Sequence, residues 1–143
     1  MSAEVDRYIA AQTPAFAKAL TTLRARLLAL LPDHVEVMSY AMPGLRQPGP
    51  KGKMVVGYAG FTHHLGLYPH SGGVVPQIDC TPFKTSKSGL LFSPESPPPL
   101  ALITRIVHAR LAWIVLASSE ERGRTDLGSW ERLAVAEGLP VGA

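Results

Sequence analysis

Residues 53–68 read KMVVGYAGFTHHLGLY. The first half, KMVVGYAG, is β-branched and aromatic, and FTHHLGLY follows it almost directly, so the stretch predicts two successive strands, 53–60 and 61–68. Continuing to Gly73, the sequence places three histidines within eight positions: His63, His64 and His70. Side chains of a strand alternate between faces. His63 would therefore share a face with Phe61, Leu65 and Leu67, and His64 with Thr62, Gly66 and Tyr68. Adjacent histidines on one strand cannot ligate one ion without a bulge, and the HExxH spacing is absent. Asp79 and Cys80 would join a metal site only if the intervening loop folded back. The expectation is His63 as a hydrogen-bonded core residue and His64 lining a cleft.

Working outward, HVEVMSYAM (34–42) alternates as a strand, and MPGLRQPGPKG after it is dense in Pro and Gly, the composition of a loop. A short strand, GLLFS (89–93), follows the polar run KTSKS. Two helices flank these strands. Thr13-Pro14 suits a helix start. Phe16, Leu20, Leu23, Leu27 and Leu30 then recur on one face until Leu31-Pro32, where proline disfavours helical geometry in the residue before it. SPESPPP makes a stiff connector, Pro99 opens a second long helix, and Leu100, Ile103, Val107, Leu111 and Ile114 give it a broad apolar face. A shorter helix fits 3–11. The order helix, strands, helix predicts an α+β fold: an antiparallel sheet covered on one side by two main helices. After Ala117, SSEERGRTDLG reads as a linker and SWERLAVAEG as a short helix capped at Gly138. The domain is thus expected over 3–117. Residues 118–143 would form a tail whose Trp130 and Leu133 dock on it or on a partner as a dimer arm.

The 143 residues make one domain, with 46% hydrophobic and 17% charged residues, a globular composition. A single cysteine, Cys80, excludes an intrachain disulfide and a thiolate metal cluster, and points to a reducing compartment. MSAEVDRYIAAQ has no apolar signal region, and LALITRIVHARLAWIVLA is interrupted by Arg105, His108 and Arg110, so a cytoplasmic protein without a membrane span is expected. Residues 1–119 carry a net charge of +5 and residues 120–143 carry −2. The positive field favours anionic partners. No basic stripe interleaved with aromatics suggests nucleic acid.

KTSKSG at 84–89 offers two lysines, hydroxyls and a glycine before a strand, a set that can supply donors to an anion. It is not a phosphate loop of the GxxxxGK[ST] type. In the plainer reading, its hydroxyls satisfy turn backbone and its lysines are solvated. The candidate ligand-binding residues are Lys84, Thr85, Ser86 and Lys87, with Tyr40, Met42, His64 and Tyr68 bordering the same cleft. Catalysis finds little support: Cys80 has no evident paired histidine, Ser86 lacks a GxSxG elbow, and no carboxylate pair stands out. Arg105 and His108 read as a solvated edge of the last helix.

Four stretches in order, SYAMP (39–43), YAGFTHHLGLYPHSG (58–72), FKTSKSGLLF (83–92) and PLALITRIVHARL (99–111), resemble the YdhG-like domains, a group that includes frataxin-like intracellular iron chaperones. The resemblance covers residues 3–117. It implies two helices packed on an antiparallel sheet in the frataxin manner, and iron as a possible cargo. The loop between Pro69 and Lys84 is shorter than is usual in the family, with room for one helical turn. Iron favours carboxylate oxygen, yet the first long helix has no acid between Pro14 and Leu31; only Asp33 and Glu36 lie near the first strand. Taken together, the sequence suggests a non-enzymatic cytoplasmic domain, monomer or homodimer, that binds a small ligand in a cleft. An enzyme or sensor for a small anion held by Lys84 and Lys87, and a protein-interaction module, are the alternatives.

Overall fold

The computed structural model describes residues 2–86 and 88–122, the last five by backbone alone. It contains α1 (Ala3–Ala10), α2 (Pro14–Leu30), β1 (Val35–Ser39), β2 (Met42–Arg46), β3 (Met54–Gly60), β4 (Leu65–Tyr68), β5 (Lys84–Thr85), β6 (Leu90–Phe92) and α3 (Leu100–Arg122). One turn of 3-10 helix at Val75–Gln77 lies in the loop after β4. The α+β class and the antiparallel sheet are as the sequence predicts.

The strands form a six-stranded sheet in the order β1-β2-β3-β4-β6-β5, with every neighbouring pair antiparallel. Short connections produce this arrangement, since a parallel pair would need a crossover of about a dozen residues or more. The long loop after β4 carries the chain to the edge, and β6 returns between β4 and β5.

Period-two alternation decides which side chains enter the core. The register aligns Leu45 with Val56, Tyr58 with Leu67, Leu67 with Leu90, and Leu65 with Phe92, and all are buried. They join Val5 and Ile9 of α1, Leu20, Leu23 and Leu27 of α2, and Ile103, Ile106 and Val107 of α3 in one cluster. Each fully buried leucine there contributes about 2 kcal/mol of transfer free energy. α1 starts cleanly because Ser2 Oγ accepts the Val5 N–H at 3.4 Å, with Glu4 and Asp6 in the first turn facing the helix dipole.

The other sheet face carries Gly44, Gly57, Ala59, Gly66, Tyr68 and Leu91. Gly66 makes room for the Tyr68 ring: a Cβ there would lie 2.6 Å from Cε2 and Cζ of Tyr68, which folds back across it. Gly57 similarly makes room for His70, whose Nε2 would be 2.7 Å from a Cβ.

Several sequence expectations are corrected. The predicted strand 34–42 is cut at Tyr40-Ala41, where both residues have positive φ (52° and 61°), and the chain turns into β2. Met42–Arg46, read as loop from its Pro and Gly content, is therefore a strand, with Pro43 and Gly44 paired to Met38 and Val37. The predicted strand 61–68 begins only at Leu65. Residues 61–64 form the β3–β4 turn, closed by the Phe61 N–H donating to the His64 carbonyl at 2.8 Å. His63 is consequently exposed and not a core residue. Lys84–Thr85 is a short edge strand, and α3 continues through Arg122 where a linker is expected. Leu100–Ala117 is long and apolar enough, on length and composition alone, to cross a membrane. Here its apolar character is explained at Ile103, Ile106, Val107 and Ile114, which are buried in the core. The tail residues Trp130 and Leu133 lie outside the described residues.

Candidate ligand-binding cleft

The last turn of sheet before the β5 edge opens into a cleft of about 390 Å³. Three segments build it. The β3–β4 turn contributes His64; the end of the long loop and β5 contribute Pro82, Phe83 and Lys84; β6 and the following turn contribute Leu91, Phe92, Ser93 and Ser96. Antiparallel pairing explains the convergence. Leu65 is opposite Phe92, and Lys84 is opposite Leu91, so His64 and Lys84 are brought to the same end of β6 from opposite sides.

Each side chain has a local reason for its position. The His64 imidazole packs on Phe61, with ring centroids 4.9 Å apart and planes inclined by 30°. Phe61 in turn meets the edge of Tyr68 at 6.4 Å and 88°. The Tyr68 ring also occupies the space a side chain would take at Gly66 and Gly89, which flank Leu91 on the sheet. Its phenol is pushed above its ordinary pKa by partial burial, with a smaller effect of Tyr8. A row of three rings thus runs from the sheet surface into the cleft wall. Such tilted and edge-on ring pairs are favoured over face-to-face stacking. Phe92 is buried and Phe83 half-buried, whereas Lys84 and Ser96 are exposed at the mouth. The Ser96 N–H donates to the Ser93 carbonyl at 3.1 Å and fixes the two serines relative to each other.

The remaining candidates from the sequence separate into distinct places. Thr85 is opposite Leu90, on the face of β5 away from Lys84. Ser86 closes the β5–β6 turn, its N–H donating to the Gly89 carbonyl at 2.9 Å and its hydroxyl reaching the same oxygen at 3.5 Å. That is the turn role of a serine. Lys87 lies outside the described residues. Tyr40 sits at the β1–β2 turn, 88% exposed, and Met42 pairs with Ser39 at the same end of that hairpin; neither lines the cleft. His70 is away from it too, pressed against Gly57 with Nε2 buried and without a hydrogen-bond partner among the described residues. Of the candidates, His64 and Lys84 thus line this cleft, and Tyr68 reaches its wall through Phe61. Phe83, Leu91, Ser93 and Ser96 join them through cross-strand register, which no spacing along the chain reveals.

Among the described residues no group of three or more His, Cys, Asp or Glu side chains converges. The carboxylate near the first strand is already engaged: Glu36 accepts from Arg24 Nε at 2.8 Å and from the Ser2 N–H at 2.7 Å. Cys80 is buried, and its thiol is pushed up by that burial and by Asp79, opposite to what a reactive thiolate needs. Arg105 and His108 are exposed, as expected, but Arg110 turns inward and donates two N–H groups to the Met54 carbonyl, at 3.1 and 2.8 Å.

No family model matches the chain, and neither does any curated protein. Among solved structures, the chain is similar to a protein of the DUF1801 family, YdhG from Bacillus subtilis. The TM-score is 0.62 over 88% of this chain and 95% of that one, at 12% sequence identity. The likeness is one of fold: the chain adopts a YdhG-like fold.

Proposed function

We propose that the protein is a non-enzymatic binding module that holds a small anionic ligand in the cleft between the β3–β4 turn and the β5 edge. The observation that carries this reading is that His64 and Lys84 line one cleft, from segments twenty residues apart in sequence. The Lys84 ammonium has no carboxylate partner among the described residues and stands at the mouth of an otherwise largely apolar concavity. Concave, mostly apolar sites with a few convergent polar groups are the usual form of small-molecule sites. Binding is favoured over catalysis because the site's polar groups suit holding a charge, and the buried Cys80 thiol is a poor nucleophile. Iron carriage, which the family resemblance suggested, would need carboxylates of the kind Glu36 supplies, and Arg24 engages that one.

The test is an amide-spectrum titration of the labelled full chain with acetate, benzoate and inorganic phosphate in turn, repeated with Lys84→Ala. Saturable shifts at His64, Leu91 and Phe92 with at least one probe, weakened about tenfold or more in the variant, are expected for a charge-assisted contact. If no probe moves these resonances, the cleft is not an anion site.

A further inference from the structure

Resting on that reading of the cleft, we infer that its ligand class is a planar aromatic monocarboxylate and not a phosphate or an aliphatic acid. Charge favours this class. The cleft presents a single ammonium, Lys84, beside Leu91 and the rings of Phe83 and Phe92. A phosphate dianion would give up a large hydration shell to face mostly carbon, and one lysine at an exposed edge does not replace it. A monocarboxylate with an apolar body gives up less, because its body transfers favourably onto the same surface.

Shape favours it too. The cleft wall is made of flat groups, His64 on one side and Phe83 on the other, and His64 is held in its plane by stacking on Phe61 at 4.9 Å. A ring pre-oriented in this way loses little freedom when a second ring packs on it, and aromatic pairs gain about 1 kcal/mol, or several-fold in affinity, beyond the area they bury. A volume of about 390 Å³ has room for a one- or two-ring body. Polar groups are few. The Ser93 and Ser96 hydroxyls are not engaged by other described side chains, and they lie in the turn that follows β6. With the Lys84 ammonium and the His64 ring N–H they can donate to one carboxylate, and the rest of the lining is apolar.

The experiment ranks four probes against the full chain by amide shifts: benzoate, cyclohexanecarboxylate, inorganic phosphate and benzylamine. Benzoate is expected to bind about fivefold more tightly than cyclohexanecarboxylate, a ring of similar size and equal charge that cannot stack, and benzylamine is expected not to saturate. His64→Ala should weaken both carboxylates but benzoate several-fold more, so that most of the preference for benzoate is lost. Phosphate or cyclohexanecarboxylate binding at least as tightly as benzoate, at the same residues, would overturn the ligand class and leave the anion cleft standing. Silence from every probe would overturn both.

Discussion

The Arg24 guanidinium grips the Glu36 carboxylate with two N–H groups, Nε at 2.8 Å and Nη2 at 2.5 Å, and so ties α2 to β1. Both side chains are nearly out of solvent, with 12% and 5% exposure. The same guanidinium reaches Asp6 of α1 at 2.6 Å and the Ser2 carbonyl at 3.2 Å. Removing one partner would strand a buried charge. Arg24→Ala should therefore cost about 3–5 kcal/mol, while replacing both partners together by apolar residues should cost much less. Urea unfolding of Arg24→Ala and of the Arg24→Met/Glu36→Leu pair measures the difference. Equal losses would mean that the pair itself, and not the stranded carboxylate, carries the effect.

Glu36 also predicts an acid limit to stability. Burial alone would raise its pKa, but the hydrogen bonds from Arg24 and Ser2 outweigh it and hold the carboxyl below its ordinary value of 4.5. The unfolded chain therefore takes up this proton first as the pH falls. The stabilisation is complete above about 4.5 and is lost as pH drops from there through the folded value. Urea midpoints between neutral pH and pH 3 should fall more steeply for the wild type than for Glu36→Gln.

His70 gives a second pH window. Burial, helped by the charge of Arg110, keeps its pKa below the ordinary 6.5. Protonation is thus easier in the unfolded chain, and stability should decline as pH falls from about 6.5 towards the folded value. In a histidine ring titration by NMR, His70 should stay neutral to a pH below 6.5. A midpoint for His70 at or above 6.5 would contradict this placement.

The ring row depends on Gly66. A methyl group there would meet the Tyr68 ring at 2.6 Å. The ring is only half-buried and can swing outward, so Gly66→Ala should cost about 1–2 kcal/mol and leave the fold intact. Loss of the Phe61–Tyr68 ring contacts in a NOE spectrum, with the sheet resonances otherwise unchanged, would report it.

The β1–β2 turn is improvable. Tyr40 and Ala41 both sit at positive φ, the geometry of a two-residue hairpin turn that Asn-Gly adopts with least strain. The Tyr40→Asn/Ala41→Gly double variant should raise stability by about 1 kcal/mol, seen as a higher urea midpoint with an unchanged slope.

The sequence by itself determined the elements whose signals are local. α2 is visible in the spacing of Leu20, Leu23 and Leu27 and in its Pro14 and Pro32 boundaries, α3 in its apolar face, and β3 and β6 in their β-branched and leucine-rich runs. β2 was not legible, because its Pro43 and Gly44 carry loop chemistry and its turn lacks the Asn-Gly signature. In the sheet those two residues are acceptable only because they pair with Met38 and Val37, a fact of register. The cleft divides along the same line. His64 and Lys84 could be nominated as residues of the right chemistry, but adjacency of strands brought them to one cleft at the end of β6 and left Tyr40 and Met42 elsewhere. Local propensity acts over a few residues, whereas pairing order is settled by which strands together bury the most apolar surface. Only the folded chain carries that information.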